Sequence, residues 1–122
     1  MPAQFLADTN IIIGVLGEKL EKWRVETLGR MGVSAVTVME LYALAGMGRQ
    51  EELSIDQAVA FLVVFPVTIE VAKRAGFISR TRQKTQKADL LIAATAIEFH
   101  LPLVTRNIRD FKGIPGITLL TI

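Results

Sequence analysis

Cysteine is absent from the 122 residues, which excludes disulfides and thiolate metal sites and fits a reducing cytoplasm. Histidine occurs once, as His100. Its place at a helix end reads as a surface residue near the helix C-terminal dipole rather than a general base. Long apolar runs are also missing: no uninterrupted stretch approaches the roughly 20 residues needed to cross a bilayer. The start, MPAQFLAD, lacks the basic segment and apolar run of an export signal. A soluble, unexported, cytoplasmic protein is expected. There are no repeats, low-complexity segments or interdomain linkers, so residues 1–122 read as one domain, large enough to build a core without staples. Charge of one sign is scarce too. A net charge of +2 gives at most a mild general attraction for polyanions. Apolar residues, by contrast, make up 51% of the chain and charged ones 21%, a balance that predicts some surface covered by a partner, a dimer or a second chain.

The most informative stretch is Ala88 to Phe111, ADLLIAATAIEFHLPLVTRNIRDF. From Leu90 to Leu101 apolar residues fall on nearly every face of a helix, which must then be covered on all sides. Asp89 stands at its start, where free N–H groups and the helix dipole tolerate an anion. Pro102 breaks the helix, Leu103 to Thr105 reads as a short covered strand, and Asn107 to Asp110 starts another helix.

The rest of the chain follows the same pattern. Gln4 to Ala7 is a short strand running into the helix-capping run Asp8-Thr9-Asn10 and a helix from Ile11. A second helix is expected from Glu18 to about Arg30, anchored by Leu20, Trp23 and Leu28, with Gly32 ending it. Val33 to Val36 reads as a strand, and Thr37 to Glu40 opens a helix through Leu41, Leu44 and Ala45, closed by Gly46 and Gly48. Ser54-Ile55-Asp56-Gln57 has capping-box spacing, with Ala58 to Phe65 as an apolar helix ending at Pro66. Val67-Thr68 is a candidate strand, Ile69 to about Arg82 a helix, Arg80 to Lys87 a basic loop, and Ile117 to Leu120 an edge strand. Strands alternating with helices predict an α/β fold: a small parallel sheet covered by helices on both faces, with right-handed crossovers.

In such a sheet, ligands bind in the crevice beyond the strand ends. Asp8, Glu40, Asp89 and Asp110 all fall at that rim. Crowded carboxylates repel and raise each other's pKa unless a cation neutralises them. Oxygen donors without His or Cys select hard divalent ions, Mg²⁺ or Mn²⁺. Such ions polarise a phosphodiester and activate water, which points to metal-dependent hydrolysis of nucleic acid. Taken singly, each acid has a plainer role. Asp8 can cap a helix, Thr37-x-x-Glu40 and Asn107-x-x-Asp110 fit capping patterns, and Asp89 can complement a dipole. Capping does not explain why all four helix starts share one edge and carry acids.

The runs LADTNIII, VTVMELYAL, KADLLIAATAIEFHLPLVTRNIRDF and GIPGITLL, in this order and separation, resemble the PIN-domain ribonucleases, specifically the short VapC-type toxins of toxin–antitoxin pairs. The resemblance spans essentially the whole chain. It implies a PIN-like fold and an Mg²⁺- or Mn²⁺-dependent endoribonuclease. It also implies a homodimer, and a small antitoxin whose tail covers the active-site groove. The family's acids fall on Asp8, Glu40 and Asp89, and Thr9, Asn10 and Thr105 fall on positions that orient them. At the fourth place stands Asn107, with Asp110 one turn later. Asp110 is expected to supply the charge and Asn107 to assist. Arg80, Arg82, Lys84, Lys87 and Arg106 would rim the acidic pocket and guide an RNA backbone, although ordinary solvated side chains are the competing reading of each. Trp23 and Tyr42 read as core or interface anchors. The run Ala58 to Phe65 is the candidate dimer or antitoxin contact, with a plain core role of similar weight.

Two other functions fit less well. A PIN-like module could bind RNA or a protein without cutting. A phosphorylated receiver domain has similar layering, but it places paired acids after the first strand and a lysine after a late one. Here Asp8 stands alone and Arg106 follows Thr105.

Overall fold

A computed structural model describes residues 3–17, 30–44 and 46–120. The chain begins with β1 (Phe5–Ala7), α1 (Thr9–Gly17), β2 (Met31–Ser34) and α2 (Ala35–Tyr42). It continues through α3 (Arg49–Phe61), β3 (Val63–Phe65), α4 (Ile69–Ser79) and α5 (Lys87–Glu98), then β4 (Leu103–Val104), α6 (Ile108–Phe111) and β5 (Leu119–Leu120). The strands form one sheet in the order β3-β2-β1-β4-β5, and every neighbouring pair is parallel.

Successive strand residues face opposite sides, and here both sides are buried. Leu6 and Leu103 pack into a cluster with Val71, Ile78, Ile92 and Phe111, under α4, α5 and α6. Ala7 and Val104 point the other way, to Ile11, Ile12, Val33, Leu41 and Ile55, under α1, α2 and α3. This is the expected α/β layering, and it explains why the strands carry apolar residues at consecutive positions. Among the described residues no helix is long and apolar enough to cross a membrane.

Several boundaries differ from the sequence reading. The second strand lies earlier than expected, at Met31–Ser34, with Gly32 inside it. A Cβ on Gly32 would come within 2.6 Å of the Phe65 ring and 3.2 Å of the Phe5 carbonyl. The glycine therefore lets the sheet close rather than ending a helix. Ala58–Phe65 is not one helix. α3 ends at Phe61 and Leu62 turns extended at φ −79°, ψ 151°, so that the β-branched pair Val63-Val64 joins the sheet beside β2. Ser54 is interior to α3, where its hydroxyl donates to the Gln50 carbonyl at 3.2 Å. The start of that helix is marked instead by Glu51, which accepts the Gly48 N–H at 3.1 Å. Val67-Thr68 forms no strand. Thr68 caps α4 by accepting the Val71 N–H at 3.1 Å, and α4 stops at Ser79, short of Arg82. α5 spans Lys87–Glu98, and His100, at φ 58°, turns the chain out of it. The helix expected from Glu18 to about Arg30, with Leu20, Trp23 and Leu28, lies outside the described residues except for Arg30.

Candidate active site

From β1 the chain first builds outward to β2 and β3, then crosses to β4 and β5 on the other side. The crevice beyond the carboxyl ends of β1 and β4 is the place where open parallel sheets bind ligands. Asp8 directly follows β1 and Thr105 directly follows β4.

Asp8 is only 4% exposed. Its Oδ1 accepts the Ile11 N–H at 3.0 Å, and its Oδ2 accepts the Thr105 hydroxyl. Thr105 Oγ1 in turn accepts the Asn107 N–H at 2.9 Å. Asp8 therefore does cap α1, as the plainer reading held, but only one of its oxygens is used for that. The other is tied to the neighbouring strand end, which fixes the carboxylate in the crevice.

Glu40 lies on the second turn of α2, not at its start. Ser34 is the cap there, accepting the Val36 N–H at 3.1 Å, so Thr37-x-x-Glu40 does not form a capping box. Instead Glu40 Oε1 accepts the Thr9 hydroxyl at 2.5 Å. Thr9 Oγ1 lies 3.0 Å from Thr37 Oγ1, and Thr37 is fully buried. At the far side, Asn107 Nδ2 donates to Asp110 Oδ2 at 2.5 Å. The Asn107 side chain makes no capping bond to α6.

Asp89, in the first turn of α5, differs from the other three. Among the described residues its carboxylate has no hydrogen-bond or ion-pair partner, whereas Asp8, Glu40 and Asp110 each have a donor. Burial, and then the charges of Asp110, Glu40 and Asp8, push its pKa up from the ordinary 3.8 to about 6. The four acids therefore feel one another in a single field. They border one cleft of about 550 Å³ together with Thr9, Asn10 and Asn107.

Cations lie on the same cleft. Arg82 and Lys84 line it, as does Arg109, which the sequence reading passed over. The available signal was its place next to Asp110 on a one-turn helix. Arg80, Lys87 and Arg106 do not line the cleft. The Arg80 guanidinium stacks over Phe77, 4.8 Å from the ring centre. Lys87 borders a hollow between α4 and α5 beside Ala72 and Gly76, and Arg106 is exposed. Arg82 also donates to the Lys112 carbonyl, fastening the basic loop to the end of α6. His100 is exposed outside the cleft, and Tyr42 donates its hydroxyl to Asp56, joining α2 to α3.

The donor set consists of oxygens alone. Among the described residues no three acids converge closely enough to hold a metal ion together; Thr105, Thr9 and Asn107 each hold one carboxylate. An open site with one unpartnered carboxylate fits Mg²⁺, which keeps several waters and takes one or two carboxylates. It does not fit an ion that needs nitrogen or sulfur.

A family model described as PIN domain matches residues 5–117. The chain is 30% identical over 129 residues to the ribonuclease VapC of Rickettsia bellii, covering 96% of this chain and 95% of that protein. Among solved structures, DNA-bound VapBC from Salmonella typhimurium superposes with a TM-score of 0.81 at 28% identity, covering 98% of this chain and 98% of that one. A toxin–antitoxin complex from Klebsiella pneumoniae superposes with a TM-score of 0.73 at 30% identity, covering 97% of this chain and 99% of that one.

Proposed function

The chain belongs to the PIN-domain family, and from that premise we propose that it is an Mg²⁺- or Mn²⁺-dependent endoribonuclease, the toxin of a toxin–antitoxin pair. The observation that carries the reading is Asp89: a carboxylate with no partner among the described residues, its pKa pushed up to about 6 by burial and three neighbouring acids, is a group waiting for positive charge. Asp89, with Asp8 and Asp110, would hold a divalent cation, which would supply that charge and polarise a phosphodiester.

The protein's own groups divide the remaining work. Thr105 and the Ile11 N–H hold Asp8 rigid, so its orientation costs nothing further on binding. Thr9 ties one oxygen of Glu40, leaving the other to accept a proton from the attacking water. Asp110 and Asn107 close the opposite wall. Arg82, Lys84 and Arg109 on the rim draw the RNA backbone in and offset the repulsion between phosphate and carboxylates.

The toxin–antitoxin relative supports a small antitoxin as partner, its tail covering this cleft. For a second copy of the chain, the run Ala58 to Phe65 is only partly available, since Ala58 and Leu62 are buried; the exposed apolar residues Phe61 (47%), Val67 (41%) and Ile69 (76%) support a contact around β3 and the start of α4. A cytoplasmic location, where RNA is at hand, is part of this proposal.

Purified protein is expected to cut RNA with Mn²⁺, to stop on addition of EDTA, and to be inactive as Asp8→Asn or Asp89→Asn. Wild-type protein that binds RNA without cutting it under Mn²⁺ would make the domain a binding module instead.

A further inference from the structure

We infer that Thr37 is a positioning residue: its buried hydroxyl donates to Thr9, committing the one Thr9 hydroxyl proton to Glu40 and so setting the Glu40 carboxylate in the cleft. The inference rests on reading the cleft as a nuclease site.

Thr9 Oγ1 is 2.5 Å from Glu40 Oε1 and 3.0 Å from Thr37 Oγ1. Thr9 is the donor in its bond to Glu40, so its single proton points there. Thr9 must then be the acceptor in its bond with Thr37, and Thr37 the donor. The result is a directed chain, Thr37 to Thr9 to Glu40. A helical threonine often bonds a carbonyl three or four residues back, but among the described residues the Thr37 hydroxyl has Thr9 as its one hydrogen-bond partner. Its side chain is 0% exposed, so water does not compete. Without the Thr37 bond, the Thr9 hydroxyl could rotate away from Glu40, and the carboxylate would lose its only donor among the described residues. The arrangement parallels the other wall, where Asn107 N–H donates to Thr105 and Thr105 donates to Asp8. Each of the two carboxylates is thus held by a threonine that is itself held.

The test is a double-mutant cycle of Thr37→Val and Thr9→Val on the full chain, with Thr37→Ser as the conservative variant, read in Mn²⁺-dependent RNA cleavage and in thermal unfolding. Thr37→Val keeps the shape and removes the hydroxyl. It is expected to lower kcat about 10- to 100-fold, the usual effect of losing a group that orients a ligand or catalytic side chain, with KM unchanged. Thr37→Ser should restore activity to near wild type, and Thr37→Val should add little on the Thr9→Val background. Full kcat in Thr37→Val, or an equal further loss on the Thr9→Val background, overturns the inference. So does a loss that Thr37→Ser shares along with a collapsed melting temperature, which would mark a purely structural role. If the wild type cuts no RNA, the nuclease reading fails separately and the unfolding cycle decides: non-additive melting shifts uphold the Thr37–Thr9 bond, and additive ones refute it.

Discussion

Asp89→Asn is expected to make the metal-free protein more stable while abolishing its activity. A pKa held at about 6 instead of 3.8 corresponds to about 3 kcal/mol of penalty for the ionised form near neutral pH. Asp89 faces an open cleft, and solvent screening reduces that to about 1–2 kcal/mol. The α5 dipole works the other way, favouring the anion in the first turn by about 0.3–1 kcal/mol. The burial and the three acids still win, leaving a net gain of about 1 kcal/mol for the amide. In a domain of this size that raises the melting temperature by about 3–6 °C. The pH dependence follows from the direction of the shift. Folding raises the pKa of this acid, so its stabilising contribution is complete below about pH 4 and is lost as pH rises through about 6. Scanning calorimetry in EDTA at pH 4 and pH 7.5 should show the variant ahead of the wild type only at the higher pH. Mn²⁺ should then restore the wild type and leave the variant unmoved. A variant less stable than wild type at pH 7.5 in EDTA, or equally offset at both pH values, would refute the electrostatic account of the cleft.

Other perturbations separate the parts of the site. Thr105→Val removes the donor that ties Asp8 to the β4 end. A stability loss of about 1–2 kcal/mol in denaturant titration and a 10- to 100-fold fall in cleavage are expected; unchanged cleavage would show that Asp8 needs no such support. Lys84→Ala and Arg109→Ala, on the cleft rim, should raise KM for RNA with little change in kcat. Each should also flatten the slope of log affinity against log salt by about 0.7, and an unaltered slope would remove that residue from the phosphate path. Gly32→Ala should cost about 1–3 kcal/mol, because the new Cβ meets the Phe5 carbonyl at 3.2 Å and the Phe65 ring at 2.6 Å. A neutral melting temperature would mean that the ring simply moves aside.

What the sequence made legible was the part governed by local patterning. An apolar strand running into Asp8-Thr9-Asn10, and the helix behind Asp89, apolar from Leu90 to Ala96 except for Thr95, are periodic signals with a clear chemical break, and both elements form there. Asp8, Asp89 and Asp110 come to one edge because the alternation of strands and helices fixes where helix starts lie, whereas Glu40, on the second turn of α2, is held there by Thr9. What was hidden depended on contacts between distant residues. Gly32 looks like a helix terminator until Phe65, 33 positions away in the chain, is seen lying over it. Val63–Phe65 is apolar enough for either helix or strand, and only pairing with β2 decides. The same holds at the site. Thr37 fits a capping pattern by spacing, yet its hydroxyl faces Thr9. Arg82 reads as a free cation, yet it is tied to the Lys112 carbonyl 30 residues on.

The central claim is that carboxylates from both ends of the chain share one divalent ion. Anomalous diffraction from crystals soaked in Mn²⁺ tests it most directly. The account predicts a single strong peak in the cleft among Asp8, Asp89 and Asp110, absent from Asp89→Asn crystals. A peak bound elsewhere, or an empty cleft at saturating Mn²⁺ in protein that still cuts RNA, would contradict it.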